Sequence, residues 1–353
     1  MTDAPRISLQ ELQLAARNHG IPLEALRWEI TPVGLHYLLT HFDIPEVDTS
    51  TWRLEVGGLV DRELSLSLDD LRARPSREVA VTMECAGNGR AHIEPHVVSQ
   101  PWLLEAVGTA RWRGVTVAGV LADAGVQDDA VEVLFTGLDR GVDGGETQAY
   151  ERSVALAELL AGDAILAYEV NGVPLPPQHG YPLRLVVPGW YGMTSVKWLA
   201  RMTLLEEPFD GYQMRHAYRV RRDEDDPGEP ITTIAPRSLM VPPGIPDFLT
   251  RARVVTAGPC ELVGRAWSGA AEIVGVDISV DGGSSWASAE LGPDTLGRWA
   301  WRSWRFEWNA RPGEYELCCR ARDASGSEQP LEASWNLGGY VNNAVQRVDV
   351  KVE

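Results

Sequence analysis

The pattern of apolar and polar positions divides the chain into two parts with different periodicity. After about residue 250, apolar and polar residues alternate in "ELVGRAW", "EIVGVDISVD", "WASAEL", "WAWRSWRFEW", "GEYELCCRARD" and "RVDVKV", with turn-forming residues between these runs. A period of two is typical of strands that bury one face. The segment "VDGGSSW" adds a hairpin signal between two of the runs. Residues 241–353 are therefore predicted to form an all-β, immunoglobulin-like sandwich.

Residues 1–240 mix helical and extended patterns. Helical spacing is found in three segments, residues 8–18, 67–75 and 155–162. Strands are expected in "WRLEVGG", "EVAVTME", "VEVLFTG", "AILAYEV" and "YPLRLVVPG". The glycine-rich segment 138–146 has no lysine and no following helix, so we expect a flexible loop there rather than a phosphate-binding loop. Because helices and strands do not alternate regularly, the pattern favours an α+β domain over a doubly wound sheet.

Charge and hydropathy exclude several classes of partner. The formal net charge of −18 argues against nucleic acid and anionic membranes, which require a basic surface. No apolar run approaches the roughly 20 residues that cross a bilayer. The first twenty residues lack the basic and apolar regions of a secretory signal, so the sequence predicts a cytoplasmic protein, or a periplasmic one if a leader has been removed.

Cys85 stands apart from the other three cysteines. Cys260, Cys318 and Cys319 lie in predicted strands and are expected to be small buried side chains. Cys85 instead precedes the turn "AGNG", and Arg90 follows five residues after it. A cysteine in this position could act as a nucleophile with a nearby histidine, or as a ligand of a soft metal.

A zinc site is the remaining alternative for this region, because "HIEPH" (92–96) places two histidines four residues apart. Pro95 would break the helix that such spacing needs, and the glutamate is in the wrong position for a zinc protease motif. We therefore expect these histidines to lie in a loop.

A basic segment further along the chain changes the interpretation of Cys85. "HGYPLRLVVPGWYGMTSVKW" (179–198) contains His179, Arg184, Ser195 and Lys197 among apolar residues and glycines. Basic side chains within apolar strands need a partner. A phosphate-bearing organic cofactor would supply one, and would also supply most ligands to a metal that a single cysteine cannot hold alone.

The chain resembles the sulfite oxidase family of molybdenum enzymes. The resemblance covers roughly residues 25–350 and rests on "TPVGLHYLLTH", "ECAGNGR", "GLD", "YEVNGVPLPPQHGYPLRLVVPGWYGMTSVKW", "GRAWSG", "SVDGGSSW", "WAWRSWRFEW" and "SWNLGGYVNNA". It implies a sulfite oxidase-type molybdopterin-binding domain over residues 1–240 and a dimerisation domain over residues 241–353. It further implies a molybdenum–molybdopterin cofactor and a homodimer formed through the C-terminal domain.

The resemblance also implies roles for individual residues. Cys85 corresponds to the metal-ligating cysteine. The positions that correspond to cofactor-binding residues are Tyr37, His41, Cys85, Asp139, His179, Arg184, Ser195, Val196 and Lys197. The catalytic pocket residues are Cys85, Arg90, Trp102 and Tyr218. The family's reaction is a two-electron oxygen-atom transfer that converts sulfite to sulfate and passes electrons to a haem protein. Because no haem domain is found in the sequence, we expect a separate acceptor such as a cytochrome.

Two positions depart from the family pattern. Leu39 and Gly338 stand where sulfite oxidases carry arginines. Each lost charged hydrogen bond is worth about 1.5–3 kcal/mol. The substrate is therefore expected to be sulfite or another small species, such as a different oxyanion or an S- or N-oxide. A binding protein without turnover, built on the same fold, is the third possibility.

Overall fold

The structure is a computed structural model and describes residues 7–353. The sequence expectation about the N-terminus also involves residues 1–6, which lie outside the described residues. Five α-helices are present in the described chain, α1 Leu9–Arg17, α2 Leu68–Arg72, α3 Val117–Ala124, α4 Leu156–Ala161 and α5 Tyr212–Arg215. Short 3-10 turns occupy Leu23–Arg27, Val33–Leu35, Arg90–His92, Pro177–His179 and Gly192–Thr194.

Strands make up most of the regular structure. In the first part of the chain they are β1 Leu54–Gly58, β2 Leu64–Leu66, β3 Ser76–Glu84, β4 Val107–Thr116, β5 Glu132–Asp143, β6 Glu146–Ala155, β7 Ile165–Val170, β8 Val173–Pro174, β9 Arg184–Val186, β10 Leu199–Leu205, β11 Arg219–Val220 and β12 Glu229–Pro230. In the second part they are β13 Arg237–Met240, β14 Ile245–Pro246, β15 Arg253–Val255, β16 Gly258–Trp267, β17 Ile273–Ser279, β18 Ala287–Ser288, β19 Glu290–Leu291, β20 Arg302–Ala310, β21 Gly313–Asp323 and β22 Gln346–Val352.

The N-terminal part contains two main sheets, which confirms the α+β prediction. One sheet has the order β2-β1-β10-β5-β6, and the other has the order β3-β4-β7-β8 with β9 also paired to β7. Apolar side chains of α2, α3 and α4 pack into a core that also takes residues from both sheets. The predicted helices at 8–18, 67–75 and 155–162 are confirmed as α1, α2 and α4. The reciprocal hydrogen bonds between Ser8 and Glu11 confirm the capping box of α1.

The C-terminal part is the predicted β-sandwich. A four-stranded sheet (β13-β16-β20-β19) and a six-stranded sheet (β14-β15-β22-β21-β17-β18) enclose one apolar core. The alternating apolar residues of "RVDVKV" point into this core, because Val348, Val350 and Val352 are all buried. Strand β13 pairs with β16, so the sandwich sheet begins at Arg237. The domain boundary at residue 240 stays a prediction.

The expectation of a flexible loop at 138–146 is wrong. These residues belong to the hairpin of β5 and β6, in which Asp143 pairs with Glu146. Gly144 and Gly145 both have positive φ, at 57° and 83°. Positive φ at both turn positions is what a tight two-residue hairpin turn requires. The glycine pair therefore forms the turn of a regular hairpin.

A buried carboxylate joins the two parts of the molecule at the end of β3. Glu84 Oε1 lies 2.7 Å from Arg237 Nε, and both side chains are almost fully buried. Glu84 Oε2 accepts a hydrogen bond of 2.8 Å from Trp267 Nε1. Because Glu84 immediately precedes Cys85, this contact with the sandwich fixes the start of the cysteine turn.

None of the helices among residues 7–353 is both long and apolar enough to cross a membrane.

We expect Arg237→Met to lower the free energy of unfolding by about 3–5 kcal/mol, because it leaves the Glu84 carboxylate buried without its counterion. Denaturant unfolding, followed by tryptophan fluorescence, measures this loss. Arg305→Met is the matched control, since Arg305 pairs with Glu290 at an exposed position and its loss should change stability little. Equal effects of the two substitutions would contradict the role assigned to Arg237.

Candidate active site

The Cys85 turn is shaped by glycines that leave room for a guanidinium. A Cβ on Gly87 would lie 2.5 Å from Arg90 Nη1, so the arginine side chain needs a glycine beneath it. Gly89 has φ of 88°, a left-handed conformation that glycine adopts without strain. The chain thereby turns back after Cys85 and returns Arg90 towards the sulfur.

A loop of the sandwich closes over this turn. Val341 N donates to Ala86 O at 2.8 Å, and Asn342 Nδ2 donates to Gly89 O at 2.7 Å. Arg90 Nε donates to Gly338 O at 3.0 Å. The Arg90 guanidinium also lies 4.9 Å from the centre of the Tyr340 ring, within cation–π range. The C-terminal part therefore contributes directly to the site.

Tyr218 and His41 form a hydrogen-bonded pair in the same region. The Tyr218 hydroxyl bonds to His41 Nε2, and the His41 ring stacks on Tyr150 with centroids 4.7 Å apart. Burial and the nearby Lys197 lower the pKa of His41 to about 3, so its imidazole is neutral. Burial raises the pKa of Tyr218 well above its usual value, so the hydroxyl keeps its proton.

An inner cleft next to Cys85 collects buried polar and basic side chains. Its lining consists of His36, Tyr37, Leu38, Leu39, His41, Met83, Cys85, Asp139, Tyr150, His179, Arg184, Gly192, Met193, Ser195 and Lys197. Arg184 donates to His179 O at 3.2 Å and to Ser195 O at 3.1 Å. Lys197 Nζ donates to Leu39 O at 2.8 Å and to Gln178 O at 3.2 Å.

The inner cleft suits an anionic, polar cofactor. Arg184 and Lys197 both line the cleft, and among residues 7–353 neither forms an ion pair with a carboxylate; both donate to the backbone carbonyls named above. Asp139 Oδ1 and Arg184 Nε are buried without a hydrogen-bond partner. Buried polar atoms normally have a hydrogen-bond partner, so these two atoms are available to bind a ligand. The free space in the cleft is narrow, at about 50 Å³.

Charges in the inner cleft are sensitive to pH near neutrality. Burial, reinforced by the nearby Arg184, lowers the pKa of Lys197 to about 7. Burial also raises the pKa of Asp139 to about 7. As pH rises through 7, Lys197 loses its positive charge and Asp139 gains a negative one. Both changes make the cleft less favourable for an anion.

An outer chamber of about 460 Å³ adjoins the inner cleft, and both are lined by Leu39, His41 and Cys85. The chamber is also lined by Arg90, Trp102, Tyr218, Gly338 and Tyr340. The two positions at which the chain departs from the sulfite oxidase pattern, Leu39 and Gly338, thus both face the chamber. Leu14 of α1 forms part of its wall.

The structure brings nearly all of the sequence-predicted residues together. Those predicted to bind the cofactor line the inner cleft, namely Tyr37, His41, Cys85, Asp139, His179, Arg184, Ser195 and Lys197. Those predicted to contact the substrate line the outer chamber, namely Cys85, Arg90, Trp102 and Tyr218. Val196 differs, because its side chain packs in the apolar core and it is not among the residues that line the cleft. Their functional roles stay predictions.

The structure gives little support to a zinc site at residues 92–96 or to a nucleophilic role for Cys85. His96 Nε2 lies 2.7 Å from Glu11 Oε1, which ties it to α1. Within residues 7–353, no group of three His, Cys, Asp or Glu side chains is arranged to hold a metal ion. Burial raises the pKa of the Cys85 thiol, the opposite of what an activated nucleophile needs.

Several residues of the site were not among the sequence predictions. Tyr340 and Asn342 lie in "SWNLGGYVNNA", so their motif was recognised but their contacts were not. His36 precedes Tyr37 and lines the inner cleft. Glu84 belongs to the motif "ECAGNGR", but its contacts were not predicted, because Arg237 and Trp267 are distant in the chain. Tyr150 carried no sequence signal.

Matches to known families agree with this geometry. Residues 41–213 match the family described as an oxidoreductase molybdopterin binding domain. Residues 231–353 match the Mo-co oxidoreductase dimerisation domain. The fold and the cleft therefore define a molybdopterin-binding oxidoreductase.

Individual relatives narrow the class. Mitochondrial sulfite oxidase from Mus musculus is 38% identical over 341 residues, which cover 92% of this chain and 62% of that protein. Sulfite oxidase from Gallus gallus is 36% identical over 337 residues, which cover 90% of this chain and 72% of that protein. A nitrate reductase from Brassica napus is 34% identical over 353 residues, 92% of this chain but 38% of that protein. This chain belongs to the sulfite oxidase family.

A solved structure with the same fold is the sulfane dehydrogenase SoxCD from Paracoccus pantotrophus. It superposes with a TM-score of 0.81 and 26% sequence identity, covering 100% of this chain and 88% of the other. The chain spans less than two thirds of the length of the mammalian sulfite oxidases that it matches.

We expect loading of the cofactor-free protein with molybdopterin to weaken between pH 6 and pH 8, because Lys197 and Asp139 both titrate near 7. Pterin fluorescence of the washed protein measures the loaded fraction. Lys197→Arg, which stays charged, and Asp139→Asn, which stays neutral, should each flatten the profile. Loading that is constant or increases with pH would contradict this assignment.

Proposed function

We propose that this chain catalyses a two-electron oxygen-atom transfer to a sulfur oxyanion, with sulfite to sulfate as the reference reaction. Sulfite and water give sulfate, two protons and two electrons, and the electrons leave to a separate acceptor. The observation that carries the proposal is the common position of Cys85, which lines both the cationic inner cleft and the chamber that holds Arg90 and Tyr218.

The inner cleft has the groups that a molybdenum–molybdopterin cofactor needs. Cys85 would provide the protein thiolate to the metal, since thiolates are suited to metals that favour sulfur. Arg184, Lys197 and His179 would contact the anionic part of the cofactor, and Asp139 and Ser195 would hydrogen-bond to its polar groups. When bound, the cofactor supplies the redox centre for the two-electron chemistry.

Arg90 and Tyr218 act on the substrate side. The Arg90 guanidinium, held by backbone carbonyls, presents a fixed positive charge beside Cys85. Charge-assisted hydrogen bonds from a fixed guanidinium orient an oxyanion. In the tautomer of neutral His41 that carries its proton on Nε2, this nitrogen donates to the Tyr218 oxygen, and the Tyr218 hydroxyl is then free to donate to a substrate oxygen. The pair thus offers a route for a proton released when water is consumed.

Another oxyanion or an S- or N-oxide is the second candidate. The uncharged Leu39 and Gly338 in the chamber wall favour it, since fewer cations face the substrate than in the family pattern. The resemblance to a nitrate reductase agrees with a broader choice of oxyanion. Competing sulfite, nitrate and sulfoxide in one steady-state assay separates these substrates. A non-catalytic binding protein is the third candidate, and purified protein without molybdenum or pterin would favour it.

The acceptor is proposed to be a separate, positively charged redox protein such as a cytochrome. Glu224 and Asp225 are exposed on the segment that follows Arg221, and Arg221 lines the chamber mouth. Acidic groups at the mouth would steer a basic protein towards the site where electrons leave.

A homodimer formed through the C-terminal part is also proposed. The match of residues 231–353 to a dimerisation domain supports it. Ile245, Phe248 and Leu249 add an exposed apolar hairpin in that range, and sedimentation velocity measures the assembly directly.

We expect the molybdenum-loaded protein to oxidise sulfite with ferricyanide as the acceptor. Cys85→Ser should lower kcat by at least about a hundredfold, because the metal loses its thiolate. Cys260→Ser is the matched control and should leave kcat unchanged, since Cys260 lies in the sandwich. Failure of the fully loaded wild type to oxidise any sulfur oxyanion would overturn the proposal.

With a basic cytochrome as acceptor, kcat/KM should fall as ionic strength rises from about 10 to 300 mM, because salt screens the attraction. Glu224→Gln combined with Asp225→Asn should weaken this dependence. Glu261→Gln combined with Glu307→Gln, a change of the same size on the sandwich surface, should not. A flat salt profile for the wild type would count against electrostatic docking.

A further inference from the structure

We propose that the preferred substrate is an arylsulfinate, a monoanion with an apolar ring on its sulfur, rather than the dianion sulfite. This inference rests on the proposed oxygen-atom transfer and concerns which sulfur oxyanion the outer chamber selects.

The positive charge available to the substrate is small. Arg90 Nε donates to Gly338 O at 3.0 Å, and Nη1 donates to Gln100 O at 3.1 Å. Among the described residues, Nη2 has no hydrogen-bond partner, so this nitrogen is left to meet a ligand. One free nitrogen suits one negative oxygen, whereas tight binding of a dianion usually uses several cationic groups or a full two-nitrogen fork.

The other cationic side chains of the chamber do not supply the further positive charge that a dianion needs. Arg219 lines the chamber, but its guanidinium donates to the carbonyls of Met214, Pro227 and Gly228. His216 is exposed and Arg221 is half-buried, at the solvent side of the chamber. A dianion at the inner end would therefore lose hydration without full replacement by protein charges.

Apolar side chains line the chamber around Leu39 and Gly338, so no cation faces the substrate at these two positions. Leu39 and Leu14 face the chamber from one side, and Leu337 faces it from the sandwich loop. A Cβ on Gly338 would lie 2.3 Å from Tyr340 Cε2, so the Tyr340 ring fills the space that a side chain at 338 would need. Leu39 and the Tyr340 ring next to Gly338 thus present carbon surface to the substrate. Burial of an apolar ring against such a surface is favourable.

Size and aromatic content point to the same class of ligand. The chamber measures about 460 Å³, within the range of about 300–1,000 Å³ that is typical of sites for small organic molecules. The ring centroids of Tyr218 and Tyr340 lie 5.4 Å apart, and the buried Trp102 also lines the chamber. Aromatic rings pack well against such a cluster. An aryl group on sulfur would use this space, which sulfite would leave filled with water.

The reaction balances in the same way as the reference reaction. An arylsulfinate and water give an arylsulfonate, two protons and two electrons. One new sulfur–oxygen bond forms, no carbon–sulfur bond breaks, and the sulfur is oxidised by two electrons. Two equivalents of ferricyanide, or of another one-electron acceptor, take up these electrons in the assay.

The test compares benzenesulfinate with sulfite on the molybdenum-loaded protein, with ferricyanide as acceptor. We expect a higher kcat/KM for benzenesulfinate in the wild type. Leu39→Arg should lower the ratio of benzenesulfinate to sulfite at least about tenfold, because it adds a charged hydrogen bond for sulfite and removes carbon surface. Leu160→Arg, which adds the same charge on exposed α4, should leave the ratio unchanged.

A binding measurement makes the result independent of turnover. Tryptophan fluorescence titrations with benzenesulfonate and with sulfate should show tighter binding of benzenesulfonate to the wild type. Tyr340→Ser, which removes the ring beside Gly338, should weaken benzenesulfonate binding and spare sulfate binding. Oxidation of sulfite but not of benzenesulfinate, or tighter binding of sulfate, would overturn this inference. If neither substrate is oxidised by loaded protein, the proposed function fails, and the titrations still decide the selectivity of the chamber.

Discussion

The buried carboxylate of Glu84 is the contact on which the rest of the site depends. It lies at the end of β3, pairs with Arg237 of the sandwich and accepts a hydrogen bond from Trp267. A charge in this position is stable only while its partners stay in place. The cysteine turn begins one residue later, so the position of Cys85 is set by side chains more than 150 positions away. The sandwich is therefore part of the candidate active site as well as a candidate dimerisation surface.

The inner cleft and the outer chamber are both lined by Cys85, and their side chains suit different ligands. The inner cleft concentrates buried cations and unpaired polar atoms, which favour an anionic cofactor. The outer chamber has one central cation, Arg90, and walls of aromatic and aliphatic carbon. This separation explains how a chain with a net charge of −18 can bind a phosphate-bearing group, because the local positive charge is confined to the cleft.

Much of the fold could be read from the sequence because local patterns decide it. The sandwich follows from period-two alternation, and α1 follows from its capping box. Cys85 and Arg90 were found because they share one short turn. The hydrogen bond between His41 and Tyr218 could not be predicted, because 177 positions separate the two residues and no local pattern links them. The replacement of charge by the Tyr340 ring was equally hidden, since it depends on the backbone path at Gly338. The hairpin at 138–146 was missed because a glycine pair forms a tight turn as readily as a flexible loop.

We propose above all that Cys85 is the one protein sulfur on a molybdenum centre held by the inner cleft. X-ray absorption at the molybdenum edge of loaded protein counts the sulfur atoms bound to the metal. We expect three sulfurs in the wild type, two from the cofactor and one from Cys85, and two in a loaded Cys85→Ser variant. An unchanged sulfur count in that variant would contradict it.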